Sequence, residues 1–95
     1  MSSVFVIATI EIVIPDALSL KGKRHILKSL IEKMRARTNA SVAETDFNDL
    51  WQRAQISFAV VGSSKDIIEK QLSVIQNILD DCTQIETTCF DCQYI

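Results

Sequence analysis

The chain has 95 residues, 47% of them hydrophobic and 23% charged, with one proline, two glycines and a formal net charge of −2. That balance excludes a disordered chain, which would be less apolar, and it excludes capture of polyanions by bulk attraction alone. The length predicts a single domain spanning residues 1–95, able to bury a core without disulfide or metal staples. Cys82, Cys89 and Cys92 are an odd, clustered set, which fits reduced thiols better than a disulfide framework. The N-terminal stretch MSSVFVIATIEIVI lacks a basic start and a small-residue cleavage site, and no apolar run approaches the ~20 residues of a membrane helix. The reading is a cytoplasmic protein without a membrane segment.

Charge is unevenly spread. Residues 1–40 hold seven basic and three acidic side chains, hence +4, and residues 41–95 hold three basic and nine acidic, hence −6. Such asymmetry suits local contact with nucleic acid or head-to-tail self-association.

Residues 3–14 alternate and are rich in β-branched side chains, which predicts a strand. Val4, Val6, Ala8, Ile10, Ile12 and Ile14 share a face fit to pack on helices, while Phe5, Ile7, Thr9, Glu11 and Val13 share the other. Pro15 ends it, having no N–H for a ladder. Ser19 is placed to cap a helix running to Thr38–Asn39, where Asn39 is expected in a left-handed conformation. Leu20, Ile26, Leu27, Leu30, Ile31 and Met34 fall on one arc of that helix, and Lys21, Arg24, Lys28 and Arg35 on its flank. Lys23 lies inside the apolar arc and is expected to snorkel out at the helix start. Gly22 is a poor helix former in the first turn.

Ala40–Thr45 reads as a second strand, joined through the polar Asp46–Leu50 connection to a third over Arg53–Val61. Ala54, Ile56, Phe58 and Val60 point inward on that third strand. Ser63 or Ser64 caps a second helix whose apolar arc is Ile67, Ile68, Leu72, Ile75, Ile78, Leu79 and Cys82. Residues 84–94 alternate weakly, with Phe90, Cys92 and Tyr94 on one side, and give a fourth strand. The order β-α-β-β-α-β defines an α+β, ferredoxin-like fold: a four-stranded antiparallel sheet with two helices on one face. The other sheet face is left bare with Phe5, Ile7, Val13, Ala59 and Val61, a candidate homodimer interface.

Several clusters carry candidate chemistry. Lys21, Arg24, Lys28 and Arg35 are spaced to follow phosphates along one helix side, or simply to keep that side solvated. Trp51 and Arg53 are placed either to stack on a base and pair a phosphate, or to anchor a hairpin or interface. The structural role is favoured for Trp51. Glu44, Asp46 and Asp49 match no metal-binding loop, and pairing of Glu44 with Arg53 across the hairpin is the better reading. His25 falls on the polar side of its helix. Cys89-x-x-Cys92 lies in a strand, where residues three apart point to opposite faces and cannot readily pinch a metal. No metal or cofactor site is predicted, and no Gly-rich phosphate loop occurs. The third strand, RAQISFAVV, lacks the aromatic pattern with which some sheets stack RNA bases.

The stretches SLKGKR (19–24), SVAETD (41–46) and DLWQRA (49–54) resemble the signatures of the bacterial YlxP-like family, a small domain of unknown function. The element order agrees throughout, although the specific motifs lie between residues 19 and 61. Gly22 departs from the Glu common in that family, and the cysteine-bearing tail matches nothing characteristic of it. The resemblance implies a ferredoxin-like fold, self-association and no established activity. Family genes often neighbour translation and ribosome-maturation genes, which implies RNA or a ribosomal particle as partner, by association only. The function that emerges is a non-enzymatic small domain, associated with RNA through its first helix. The alternative is a homo-oligomeric interaction module using the bare sheet face and Trp51, and an enzyme built on Glu44, Asp46 and His25 ranks last.

Overall fold

A computed structural model describes residues 3–95. The elements are β1 (Val4–Val13), α1 (Leu20–Arg37), β2 (Ser41–Asp46), β3 (Arg53–Gly62), α2 (Lys65–Asp81) and β4 (Glu86–Tyr94). They form one antiparallel sheet in the order β2-β3-β1-β4, with the two longest pairings on either side of β1. This is the ferredoxin-like arrangement that the sequence predicts.

The strand parity behaves as expected. Val6, Ala8, Ile10 and Ile12 of β1, and Ala54, Ile56, Phe58 and Val60 of β3, are all buried on the helix-covered face. From α1 come Leu27, Leu30 and Met34, and from α2 come Ile68, Ile75, Ile78 and Leu79. Each such side chain contributes about 1.5–3 kcal/mol when withdrawn from water. Phe90 of β4 meets Phe58 edge-to-face at 6.1 Å, extending this core under the sheet's outer strand. Gly62 ends β3 where α2 crosses close above it. A Cβ there would come within 3.1 Å of Ile67 and 3.2 Å of Ile68, so any side chain at this position would have to push those isoleucines aside.

Both helices start as the sequence predicts. The hydroxyls of Ser19 and Ser64 accept from the N–H groups of Gly22 and Ile67. The end of α1 differs. Thr38 caps it in an extended conformation, its hydroxyl donating to the Met34 carbonyl and accepting from Ala40 N–H. Asn39 does not turn left-handed; it is held by Gln71 through its N–H and by the Val61 carbonyl through its side-chain amide. Among the described residues the one non-glycine with a positive φ is Phe47, at 60°, in the β2–β3 connection.

Lys23 departs most from expectation. Its side chain is 1% exposed, and its ammonium donates to the Phe47 carbonyl at 2.7 Å while standing 2.9 Å from Glu44 Oε2. Lys23 does not snorkel, because the inward-facing Glu44 carboxylate and the Phe47 carbonyl receive its charge beneath the helix. Glu44 keeps part of its side chain in water at 22% exposure, but its Oε2 is buried and makes no aligned hydrogen bond. Charge, rather than a directed hydrogen bond, holds the carboxylate to the ammonium.

The two halves of this pair are therefore unequal. Glu44→Ala leaves an ammonium sealed from solvent and should cost about 3 kcal/mol, in the range for an orphaned buried charge. Lys23→Met suits the apolar arc, lets Glu44 turn to water, and should cost about 1 kcal/mol for the lost hydrogen bond. Urea unfolding of the two variants measures the difference; equal losses, or none, contradict it.

Candidate nucleic-acid interface

The interface candidate begins with the outer surface of α1. Lys21, Arg24, Lys28, Lys33, Arg35 and Arg37 are exposed on it, against the single exposed acid Glu32. No acidic residue stands in the first turn, although carboxylates are what the positive end of a helix favours. Lys21 and Arg24 at that end oppose the helix dipole, so folding alone gives no reason for them. Arg35 and Arg37 in the last turn agree with the dipole.

Arg35 also fixes which way the flank looks. Its guanidinium donates to the Val42 carbonyl at 2.6 Å, so this side of α1 leans over β2, the edge strand of the sheet. Lys21, Arg24 and Lys28 share the flank by helical period and remain without an ion pair among the described residues. Arg35 is thus a partial member of the stripe, with one nitrogen already committed to the fold.

Trp51 is half exposed, at 52%, in the β2–β3 connection beside exposed Leu50. Asp49, Leu50, Trp51, Gln52 and Arg53 line an open concavity of about 490 Å³ there. The connection is tied to the start of α1 at two places. Lys23 holds Phe47, and the Gln52 amide donates to the Pro15 and Ala17 carbonyls. Trp51 and the basic first turn of α1 consequently occupy the same end of the molecule.

Arg53 belongs elsewhere. It points to the uncovered sheet face, where its guanidinium lies 4.1 Å over the Phe47 ring and 3.7 Å from Glu11. The expected Glu44–Arg53 pair does not form, because Glu44 faces the helices and Arg53 faces away from them. The register shift between Glu44 and Asp46 adds to that separation. With Glu44 engaged by Lys23 and His25 exposed on the far side of the same helix, the acidic cluster assembles no catalytic group. No set of three or more metal-ligating side chains occurs among the described residues. Cys89 and Cys92 turn to opposite faces as strand parity requires, Cys92 against the core and Cys89 outward. Burial, and then the neighbouring Asp91 carboxylate, push the Cys92 thiol above its ordinary pKa, which lowers its reactivity.

The uncovered sheet face has two parts. At one end Phe5, Ile7 and Val61 are 43–46% exposed, with exposed Ala59 and Ile95 near them and half-buried Val13 at the opposite end. Across its middle runs a line of hydroxyls that sequence reasoning did not single out. Thr9 meets Ser57 at 3.4 Å, Ser57 meets Thr45 at 2.8 Å, and Thr45 donates to the side-chain Oε1 of Gln55 at 2.9 Å. Outward strand parity was the available signal. A shallow trough of about 420 Å³ follows this line between Ile7 and Thr45. The central positions of β1 and β3 therefore present Thr9 and Ser57 rather than aromatic rings, which leaves no base-stacking platform at the sheet centre.

The fold and its surfaces define a small split βαβ domain with one basic helix, an open sheet face and no assembled catalytic group among the described residues. Over residues 5–92 the chain matches the family described as proteins of unknown function, DUF503, and it belongs to that family. It is 37% identical over 81 residues to the uncharacterized protein YlxP of Bacillus subtilis (strain 168), across 85% of this chain and 88% of that one. The resemblance read in SLKGKR, SVAETD and DLWQRA is borne out. Among solved structures, the de novo designed protein Foldit4 superposes with a TM-score of 0.54 at 14% identity, over 99% of this chain and 97% of that one. The designed ferredoxin-fold protein LFR1 1 superposes with a TM-score of 0.49 at 15% identity, over 100% and 84%. At 14% identity the likeness to Foldit4 is one of fold alone. No helix among the described residues is long and apolar enough to cross a membrane.

Proposed function

We propose that the protein is a non-enzymatic binding module that holds RNA, alone or within a ribosomal particle, by the exposed basic flank of α1. The observation that carries this reading is the pair Lys21 and Arg24 at the positive end of a helix that has no first-turn acid. An arrangement that costs folding a little is accounted for by an anionic partner at that end, where dipole and side chains attract together. Lys28 continues the track, and Arg35 contributes the part of its guanidinium not used on Val42. Trp51, standing exposed at the same end, offers an indole for an unstacked base, at a worth of about 1–3 kcal/mol. Arg53 supports no such contact, since it lies on the other side of the sheet.

A second reading has its own observation, the cluster of Phe5, Ile7 and Val61 on the uncovered face. With Ala59 and Val13 these would bury against a second copy in a homodimer packed face to face. The two readings use different surfaces and fail separately.

Filter binding of single-stranded RNA over a salt series tests the first. Lys21/Arg24/Lys28→Glu should weaken binding by at least about tenfold at low salt and flatten the log–log salt slope by about 2. Absent binding at low salt, or binding unchanged in a variant with native circular dichroism, removes the reading. For the second, sedimentation should show self-association that Phe5→Lys weakens; a wild type that stays monomeric at high concentration, or association unchanged in Phe5→Lys, rules it out.

A further inference from the structure

A sheet has two edges as well as two faces, and the two edges of this one are treated differently. In an antiparallel ladder each residue turns its N–H and C=O either toward its neighbour strand or away from it. The Phe5 carbonyl accepts from Ile95 N–H, so Phe5, Ile7, Thr9 and Glu11 face β4. Their partners Gln93, Asp91 and Cys89 face back. The backbone groups of Phe90, Cys92 and Tyr94 consequently point out of the sheet, and no hydrogen bond to them occurs among the described residues.

On the other edge the same parity turns Val42 outward, where Arg35 occupies its carbonyl, and Thr38 occupies the N–H of Ala40. The basic flank of α1 overhangs that edge. β4 has no such cover, and residues 86–94 contain no Lys, Arg or Pro, the usual means of keeping an edge from pairing. The β1–β4 register shift lies between Glu11 and Ile12, leaving 89–94 a regular run.

We propose that β4 is a self-association edge, pairing antiparallel with the β4 of a second copy about a two-fold axis at Cys92. This register uses all three outward residues: Phe90 opposite the partner's Tyr94, Cys92 opposite the partner's Cys92, and Tyr94 opposite the partner's Phe90. Asp91 then meets the partner's Gln93. Moving the axis to Asp91 would set two carboxylates opposite each other, and moving it to Phe90 would pair Cys92 with Thr88 at the register shift. The aromatic pairs lie on the helix side, where Lys65 already stands 5.2 Å over the Tyr94 ring. Because Arg35 occupies the Val42 carbonyl and the basic flank of α1 overhangs β2, a head-to-tail chain of β4 on β2 is disfavoured and the contact closes as a dimer. It is a narrow strip, and the association belongs to the transient class. It leaves the face bearing Phe5 uncovered, and it does not depend on RNA binding.

Thiol cross-linking reads the register directly. Opposed Cys92 residues in a hydrogen-bonded pair have Cα atoms about 5.5 Å apart, within disulfide reach. The two Cys89 residues would stand about 20 Å apart along the strands, beyond it. Exposure and pKa favour the opposite result, since Cys89 is exposed while Cys92 is half-buried with a raised pKa. In a Cys82→Ser background at alkaline pH with copper phenanthroline, the Cys89→Ser variant, which retains Cys92, should give about tenfold more cross-linked dimer than Cys92→Ser. Tyr94→Pro removes an outward N–H without touching the β1 ladder, and should abolish the Cys92 cross-link while circular dichroism stays native. Phe5→Lys should leave it intact. Equal or greater cross-linking through Cys89, no cross-linking through Cys92, persistence in Tyr94→Pro, or loss in Phe5→Lys overturns the proposal.

Discussion

The buried ammonium of Lys23 joins three parts of the chain at one point. It is carried by the first turn of α1, it balances Glu44 on the inner side of β2, and it holds the carbonyl of Phe47 in the β2–β3 connection. Phe47 stands at a positive φ, which costs roughly 1–2 kcal/mol in a residue with a side chain. The cost is offset locally: its carbonyl accepts from Lys23 and from Leu50 N–H, and its ring carries the Arg53 guanidinium. A single cation thus sets the pitch of the helix start over the edge strand and the path of the loop that presents Trp51. Replacing the pair by apolar residues of equal volume could leave stability unchanged. What the pair adds is the relative position of α1 and the 47–52 connection.

That position gives the molecule its division of labour. The helical layer presents the cations of α1, the uncovered sheet face presents an apolar end and a hydroxyl line, and the β4 edge presents free backbone. These surfaces lie on different sides of one four-stranded sheet, so occupying one does not obstruct another. The net charge of −2 hides this division completely. In a weakly acidic protein, a +4 N-terminal portion attracts anions through local geometry rather than bulk charge, an attraction that salt screens steeply.

Most of the fold could be read in the sequence, because period-two and period-3.6 patterns report directly on which side chains a sheet or helix buries. The strands, both serine caps and both apolar arcs follow from neighbouring residues alone, except that Ile67, expected in the arc of α2, stands 42% exposed in its first turn. What escaped was long-range. Lys23 sits in the middle of an apolar arc and Glu44 shares inward parity with Val42, so the patterns place both charges inward, against the expected snorkelling of Lys23 and the expected Glu44–Arg53 pair. Nothing in either local pattern says that the two burials meet. Arg53 was assigned to Glu44 from proximity in the hairpin, although strand parity already put them on opposite faces. Asn39 was favoured for a left-handed turn by residue type; the Gln71 and Val61 partners that hold it otherwise lie 32 and 22 residues away. For the candidate interface, the stripe was visible and its orientation was not, since only the Arg35–Val42 hydrogen bond shows that the flank overlooks β2.

The central functional claim is that RNA is met by the start of α1 and not by the sheet. Backbone amide shift mapping by NMR, with a short single-stranded RNA added to the isotopically labelled protein, tests this most directly. The account predicts perturbations concentrated at residues 20–28, reaching residue 35 and the indole of Trp51, with the amides of Ile7, Thr9, Ser57 and Ala59 unmoved. Perturbations centred on those four sheet residues, or none anywhere at low salt, would contradict it.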